Sequence, residues 1–263
     1  MFDTATIRAV GEIAARIRVD PAALLAVAEV ESAGKVFALV NGRNEPLIRF
    51  EGHYFDRRLS GVNRERARAS GLASPRAGGI PNPASQASRW LILQRAAAID
   101  RQAAYESCSW GMGQVMGAHW EWLGFPSVDA LVDLCRRDAA GQIELMAAFI
   151  VKAGLLSALR ARDWTAVARG YNGPAYKVNA YDKKMAVAFA KHAGRVAPMV
   201  TSDTQVIDIQ KRLVAHGFAV TVDGIRGAKT TAAIVAFQKA KKLVPDGVVG
   251  SATWAALSAA PGA

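Results

Sequence analysis

The stretch Asp20-Pro21-Ala22-Ala23-Leu24-Leu25-Ala26-Val27-Ala28-Glu29-Val30-Glu31-Ser32-Ala33-Gly34 decides how the chain is read. Asp20 followed by Pro21 is a helix start: a carboxylate to cap free N–H groups, then a proline whose fixed φ suits the first turn. Leu24, Val27, Ala28 and Glu31 fall at i, i+3, i+4 and i+7, so one carboxyl shares the apolar face. Glu29 points elsewhere and is expected to be solvated. Ser32-Ala33-Gly34 ends the helix directly after Glu31, which places that carboxyl on a cleft and not in mid-core. A carboxyl desolvated at the end of an apolar stripe has a raised pKa, and one that keeps its proton near neutrality can serve as a general acid. A buried glutamate satisfied by an arginine or by backbone is the competing reading, and this helix alone leaves both open.

Outward from this helix, Ile7, Val10, Ile13, Ala14 and Ile17 repeat at helical period, and helical patterns resume near Ser88, Ser127, Gln142 and Tyr176. Phe37 to Val40 and Leu47 to Phe50 flank Asn41-Gly42 and predict a short hairpin. Residues 60–88, rich in Ser, Gly, Pro and Arg, read as one long loop, functional or mobile. The fold class is therefore mainly α with a small β-hairpin. Near the end, Asp223-Gly224-Ile225-Arg226-Gly227 recurs 23 residues later as Asp246-Gly247-Val248-Val249-Gly250, each copy running into an apolar helical stretch. Two Asp-Gly turns that each launch a helix describe a small helical module with an internal repeat, with Ser251 as a helix cap. Too few oxygen ligands are present for a calcium loop. Pro198 to Ser202 reads as the linker, giving domains at 1–197 and 203–260.

Composition narrows the partners. The 263 residues are 51% hydrophobic and 21% charged, enough apolar material for a core. No apolar run approaches the ~20 residues of a membrane span, and the N-terminus has no secretory pattern. A net charge of +11, shared by both parts, predicts a polyanionic partner: nucleic acid, an anionic membrane surface or a bacterial cell wall. Nucleic acid ranks low, because the run Arg57, Arg58, Arg64, Arg66, Arg68 and Arg76 lacks interleaved aromatics and a recognition helix. That run reads as a solvated loop, or as a patch that holds the protein to anionic envelope groups. Cys108 and Cys135 read as two buried thiols. His53, His119, His192 and His216 are scattered, so no metal site and no cofactor is expected.

Three ordered segments carry a resemblance. Glu31-Ser32-Ala33-Gly34, then Ser109-Trp110-Gly111-Met112-Gly113-Gln114-Val115-Met116, then Tyr171-Asn172-Gly173 resemble the Glu-Ser-x-Gly, Ser-x-Gly-x-x-Gln-x-Met and Tyr-Asn-Gly segments of the lysozyme-like superfamily. With Phe50-Glu51-Gly52-His53-Tyr54-Phe55 added, the chain from about 5 to 195 looks like the N-acetylmuramidase domain of phage endolysins. The repeat at 203–258 resembles the three-helix peptidoglycan-binding module of cell-wall hydrolases. The resemblance implies a lysozyme-like helical domain with Glu31 as catalytic acid. It implies Ser109, Gln114, Tyr171 and Asn172 on the sugar cleft, with Gly111 and Gly113 letting backbone approach the glycan. A tight inter-helix turn is the plainer reading of the two glycines. Glycosidic cleavage also needs stabilisation of an oxocarbenium-like centre. Alternation puts Glu51 on one strand face with Leu47 and Arg49, where it could activate water; a pair with Arg49 or His53 that orders the hairpin is the alternative.

The expected function is a peptidoglycan muramidase, an endolysin cutting between N-acetylmuramic acid and N-acetylglucosamine. As a monomer, it would act on peptidoglycan and the anionic envelope, made in the host cytoplasm and released to the wall by another protein. A lytic transglycosylase, a bacterial effector and a noncatalytic wall-binding or baseplate protein are the competing readings.

Overall fold

The computed structural model describes residues 2–193 and 203–260. The linker expected at Pro198 to Ser202 lies outside the described residues. Helix α1 (Thr4–Ile17) starts where Asp3 accepts from the Thr6 N–H at 2.7 Å. Helix α2 (Pro21–Ser32) starts as its sequence dictates: Asp20 accepts from the Ala22 N–H at 2.9 Å. From Ala22 to Ala28 no side chain of α2 reaches solvent. So continuous a buried run requires neighbours on every side, and its last turn carries the polar residues.

The chain continues through strands β1 (Phe37–Val40), β2 (Arg43–Pro46) and β3 (Ile48–Phe50), then helices α3 (Gly52–Arg58), α4 (Gly61–Ala69), α5 (Gln86–Ala97) and α6 (Arg101–Glu106). Strands β4 (Cys108–Trp110) and β5 (Val115–Met116) lead to a 3-10 turn at Gly117–His119. Helices α7 (Val128–Arg137), α8 (Ala139–Lys152), α9 (Leu156–Ala161), α10 (Trp164–Asn172) and α11 (Tyr181–Ala193) complete the larger part. One core cluster joins α1 and α2 to α8, α10 and α11; a second gathers β3, β4 and α5 to α7 around Trp110, Phe50 and Phe55. No helix among the described residues is long and apolar enough to cross a membrane.

The β region departs from the sequence reading. Asn41 and Gly42, both at positive φ (48° and 78°), do form a two-residue hairpin turn, but the returning strand is Arg43–Pro46. The stretch Leu47 to Phe50 instead pairs with β4, in the order β3-β4-β5. A two-residue turn leaves no slack, so the partner of β1 must begin at Arg43. The outer edge of β3 is met by side-chain amides: Asn82 bonds Phe50 N–H and C=O (3.0 and 2.7 Å), and Gln86 bonds those of Ile48 (2.9 and 3.3 Å).

Residues 60–88 are not one loop. Gly61–Ala69 is helical, and Arg68 clamps Asp56 through two bonds of 2.6 and 2.8 Å. Arg58 likewise bonds Glu106, and Arg57 lies over the Tyr54 ring. Much of the basic run is thus tied into structure, which corrects the solvated-loop reading. Cys108 and Cys135 are free and buried, and burial pushes both thiols up.

The C-terminal module consists of α12 (Asp203–Ala215), α13 (Ala228–Ala240) and α14 (Ser251–Ser258) around Ile209, Leu213, Ile234 and Phe237. Its repeat has a physical basis. Gln210 donates to Asp223 Oδ1, Ile225 O and Thr230 Oγ1, while its oxygen accepts from Asp223 and Gly224 N–H. Gln238 repeats this with Asp246, Val248, Thr253 and Gly247. Each glutamine satisfies the polar groups of one Asp-Gly turn, so the turns are structural, as expected. The N-cap of α14 is Gly250 and not Ser251.

Candidate active site

Glu31 sits in the last turn of α2. Ala33 (φ 53°) and Gly34 (φ 75°) then take left-handed conformations that stop the helix. Asn172, the last residue of α10, donates from Nδ2 to Glu31 Oε1 at 2.6 Å. Two sequence segments 141 residues apart thereby meet at one carboxyl. Burial raises the Glu31 pKa to about 7, the Asn172 hydrogen bond opposing it. No cation lies among these causes, so the arginine-satisfied alternative is not what the structure builds.

Tyr171 stands beside Asn172 and donates to Gly113 O at 2.5 Å. Its phenol is pushed up by burial and by the Glu31 charge, which places the ring within electrostatic reach of that carboxyl. Gly111 (φ 68°) and Gly113 belong to the turn between β4 and β5. A Cβ on Gly111 would come 3.1 Å from Gln142, and one on Gly113 would strike Met146 and the Tyr171 hydroxyl. The room these glycines leave is filled by the protein's own side chains, and the tight turn they form joins two strands and not two helices, which corrects the inter-helix reading. Gln114, also at positive φ (47°), donates to Gly111 O at 2.8 Å and Leu47 O at 3.4 Å and so fastens the turn to β3. Ser109 lies buried in β4, its hydroxyl 3.4 Å from Met116 Sδ. In register it faces Arg49 across the ladder.

Glu51 follows β3 directly and takes the N-cap position of α3. It accepts from Arg49 Nε at 2.7 Å, and His53 Nδ1 lies 3.5 Å from its other oxygen. Both partners anticipated for the pairing alternative are present together. Glu29, expected to be solvated, instead pairs with Lys191 Nζ and His192 Nε2, each at 2.6 Å. The correction follows from α11, which packs along α2 and covers that side of its last turn.

Two residues of this region had no sequence signal. Tyr181 opens α11; its phenol is raised by burial and by Glu31 and lowered by Arg49, so it lies within reach of both. Gln142, buried in α8, accepts from Met112 N–H at 2.9 Å and donates to Cys135 O at 3.1 Å, which pins the Gly111–Gly113 turn from behind. Lone residues outside any motif, they are recognisable only once the helices are assembled.

The arrangement offers a carboxyl with its pKa raised to about 7 and held by an uncharged partner, two tyrosines whose phenols feel its charge, and Arg49 of β3 within electrostatic reach of Tyr181. Such a set can donate a proton to a leaving oxygen and bind a polar polymer beside it. Comparison with known proteins gives the family. The N-acetylmuramidase family matches residues 20–193, and the family described as a peptidoglycan binding domain matches residues 202–257. A solved structure, the crystal structure of the Burkholderia AP3 phage endolysin, is similar with a TM-score of 0.61 and 35% identity, over 73% of this chain and 72% of that one. No curated protein matches the chain. The chain therefore belongs to the N-acetylmuramidase family, glycoside hydrolases that act on peptidoglycan, and joins that domain to a C-terminal peptidoglycan-binding module.

Proposed function

We propose that this protein is an endolysin that hydrolyses the glycosidic bond between N-acetylmuramic acid and N-acetylglucosamine, with Glu31 as general acid. The observation that carries the reading is the Glu31 carboxyl: at the end of an apolar helix, bonded by a neutral amide, with its pKa raised to about 7. Such a group is about half protonated at pH 7 and can hand its proton to the departing sugar oxygen. Tyr171, Asn172 and Gln114 line the cleft beside it, Ser109 lies behind in β4, and Glu51 activates the attacking water. The C-terminal module concentrates the enzyme on its insoluble substrate, and a net charge of +11 draws it to anionic envelopes. Release to the wall depends on another protein.

One observation favours a second reading. Glu51 is already bonded by Arg49, with His53 Nδ1 3.5 Å from its other oxygen. A lytic transglycosylase needs no such base, since the substrate's own C6 hydroxyl attacks. Digestion of purified sacculi decides between them: hydrolysis products carry one more water than anhydro products. Glu31→Gln must abolish both kinds of product. Full turnover by that variant would overturn the assignment of Glu31.

A further inference from the structure

A chain of rings leads away from Tyr171. Its ring centroid lies 5.0 Å from that of Phe149 on α8. Phe149 in turn lies 5.5 Å from His119 and 5.8 Å from Trp122, and His119 and Trp122 are 5.5 Å apart. Phe149, His119 and Trp122 form a closed triangle of edge-on and tilted contacts, with Tyr171 joining it to the site. Trp122 is 41% exposed, an uncommon state for the largest apolar side chain. Its neighbour Trp120 is spoken for, its indole N–H donating to Glu106 at 2.9 Å. Among the described residues no indole N–H bond of Trp122 and no imidazole bond of His119 is present. Burial, and to a lesser degree Arg58, hold His119 below the usual imidazole range, so its ring is neutral near pH 7.

We propose that Trp122, backed by Phe149 and His119, is a glycan subsite that stacks the face of an N-acetylhexosamine ring one or more units away from the bond cleaved at Glu31. A pyranose ring has an apolar face of C–H groups and a rim of hydroxyls. An exposed indole offers the matching flat apolar surface, and the free N–H of Trp122 and the nitrogens of His119 offer polar contacts at the rim. Continuity sets the occupant: the rings start at Tyr171, next in sequence to the asparagine that holds Glu31, so what lies over Trp122 belongs to the polymer that enters the site. The inference rests on the proposed cleavage of peptidoglycan glycan at Glu31.

Its test uses full-length protein carrying Glu31→Gln, which binds without turnover, and purified soluble glycan strands as probe. Binding should weaken about tenfold on adding Trp122→Ser and stay within about twofold with Trp122→Phe, which keeps a ring face. In the otherwise wild-type enzyme, Trp122→Ser should raise KM on long strands and leave turnover at saturation unchanged. Cleavage of the shortest accepted fragment should be unaffected. Unchanged affinity of the Trp122→Ser protein for long strands, with a melting temperature like that of its parent, overturns the subsite. An equal loss on long and short substrates overturns it too, since that marks Trp122 as a packing residue. The Glu31→Gln variant alone reports on the parent reading: if it still cleaves, the cleavage assignment fails, whatever Trp122 does.

Discussion

Glu29 and Glu31 leave the same turn of the same helix, and their surroundings drive them in opposite directions. Burial works against the charge of Glu29, but bonds from Lys191 and His192 on α11 outweigh it and hold the carboxyl below its usual range. Glu31 turns toward α10, where the partner is the uncharged Asn172, and burial wins. Residue type and backbone are shared, so the difference comes from how deeply each carboxyl is buried and from what the neighbouring helix offers it. A carboxyl met by a lysine and a histidine becomes a clamp between helices; one met by an amide stays available for proton transfer.

The sharpest way to break this contrast is to remove each carboxyl in turn. Glu31→Gln should lower the rate of peptidoglycan cleavage about a hundredfold to ten-thousandfold, as expected for loss of a general acid. Glu29→Gln should leave the rate on soluble fragments within about threefold. Equal losses in the two variants would erase the distinction.

Stability against pH separates the same two groups. The folded pKa of Glu31, about 7, lies above the ordinary 4.5. Between these values the native chain holds a proton that the unfolded chain has released, so stability falls as pH rises through the window, by about 3 kcal/mol in all. Glu31→Gln removes that fall: denaturant melts should find it more stable than wild type at pH 8 and equal to it at pH 4. Glu29 has the opposite sign. Its pKa is lowered on folding, so its contribution is present above the unfolded pKa and is lost as pH falls. Glu29→Gln should therefore cost up to about 1 kcal/mol at pH 7 and little at pH 3. A stabilised Glu29→Gln protein at neutral pH would contradict the clamp.

The smallest effect sharpens the role of the partner. The Asn172 bond lowers the Glu31 pKa, opposing burial. Asn172→Leu should move the alkaline limb of the pH–rate profile upward, besides reducing the rate. A limb that moves down would show that Asn172 acts on Glu31 in some other way.

Much of this could be read along the chain where the signal is local. The Asp20-Pro21 start, the apolar stripe and the Ala33-Gly34 stop fix α2 and the place of Glu31 before any tertiary contact is known. The Asp-Gly repeats of the module are equally local, because each glutamine serves its own turn. The failures lie where partners come from far away. Leu47 to Phe50 reads as the return of a hairpin, but its real partner, β4, is some sixty residues further on. Glu29 reads as solvated because α11 is more than 150 residues distant. Tyr181 carries no motif and enters the site only through the packing of α11 on α2.

Asn82 and Gln86 bring one more consequence. By bonding the backbone of Phe50 and Ile48, their amides occupy the positions that a neighbouring strand would take. Open edges invite strand addition by peptides and by other copies of a protein. Here the edge beside Arg49 and Glu51 is closed to it. Any peptide attached to the sugar polymer must then be read on this side through side chains, and not by lengthening the sheet.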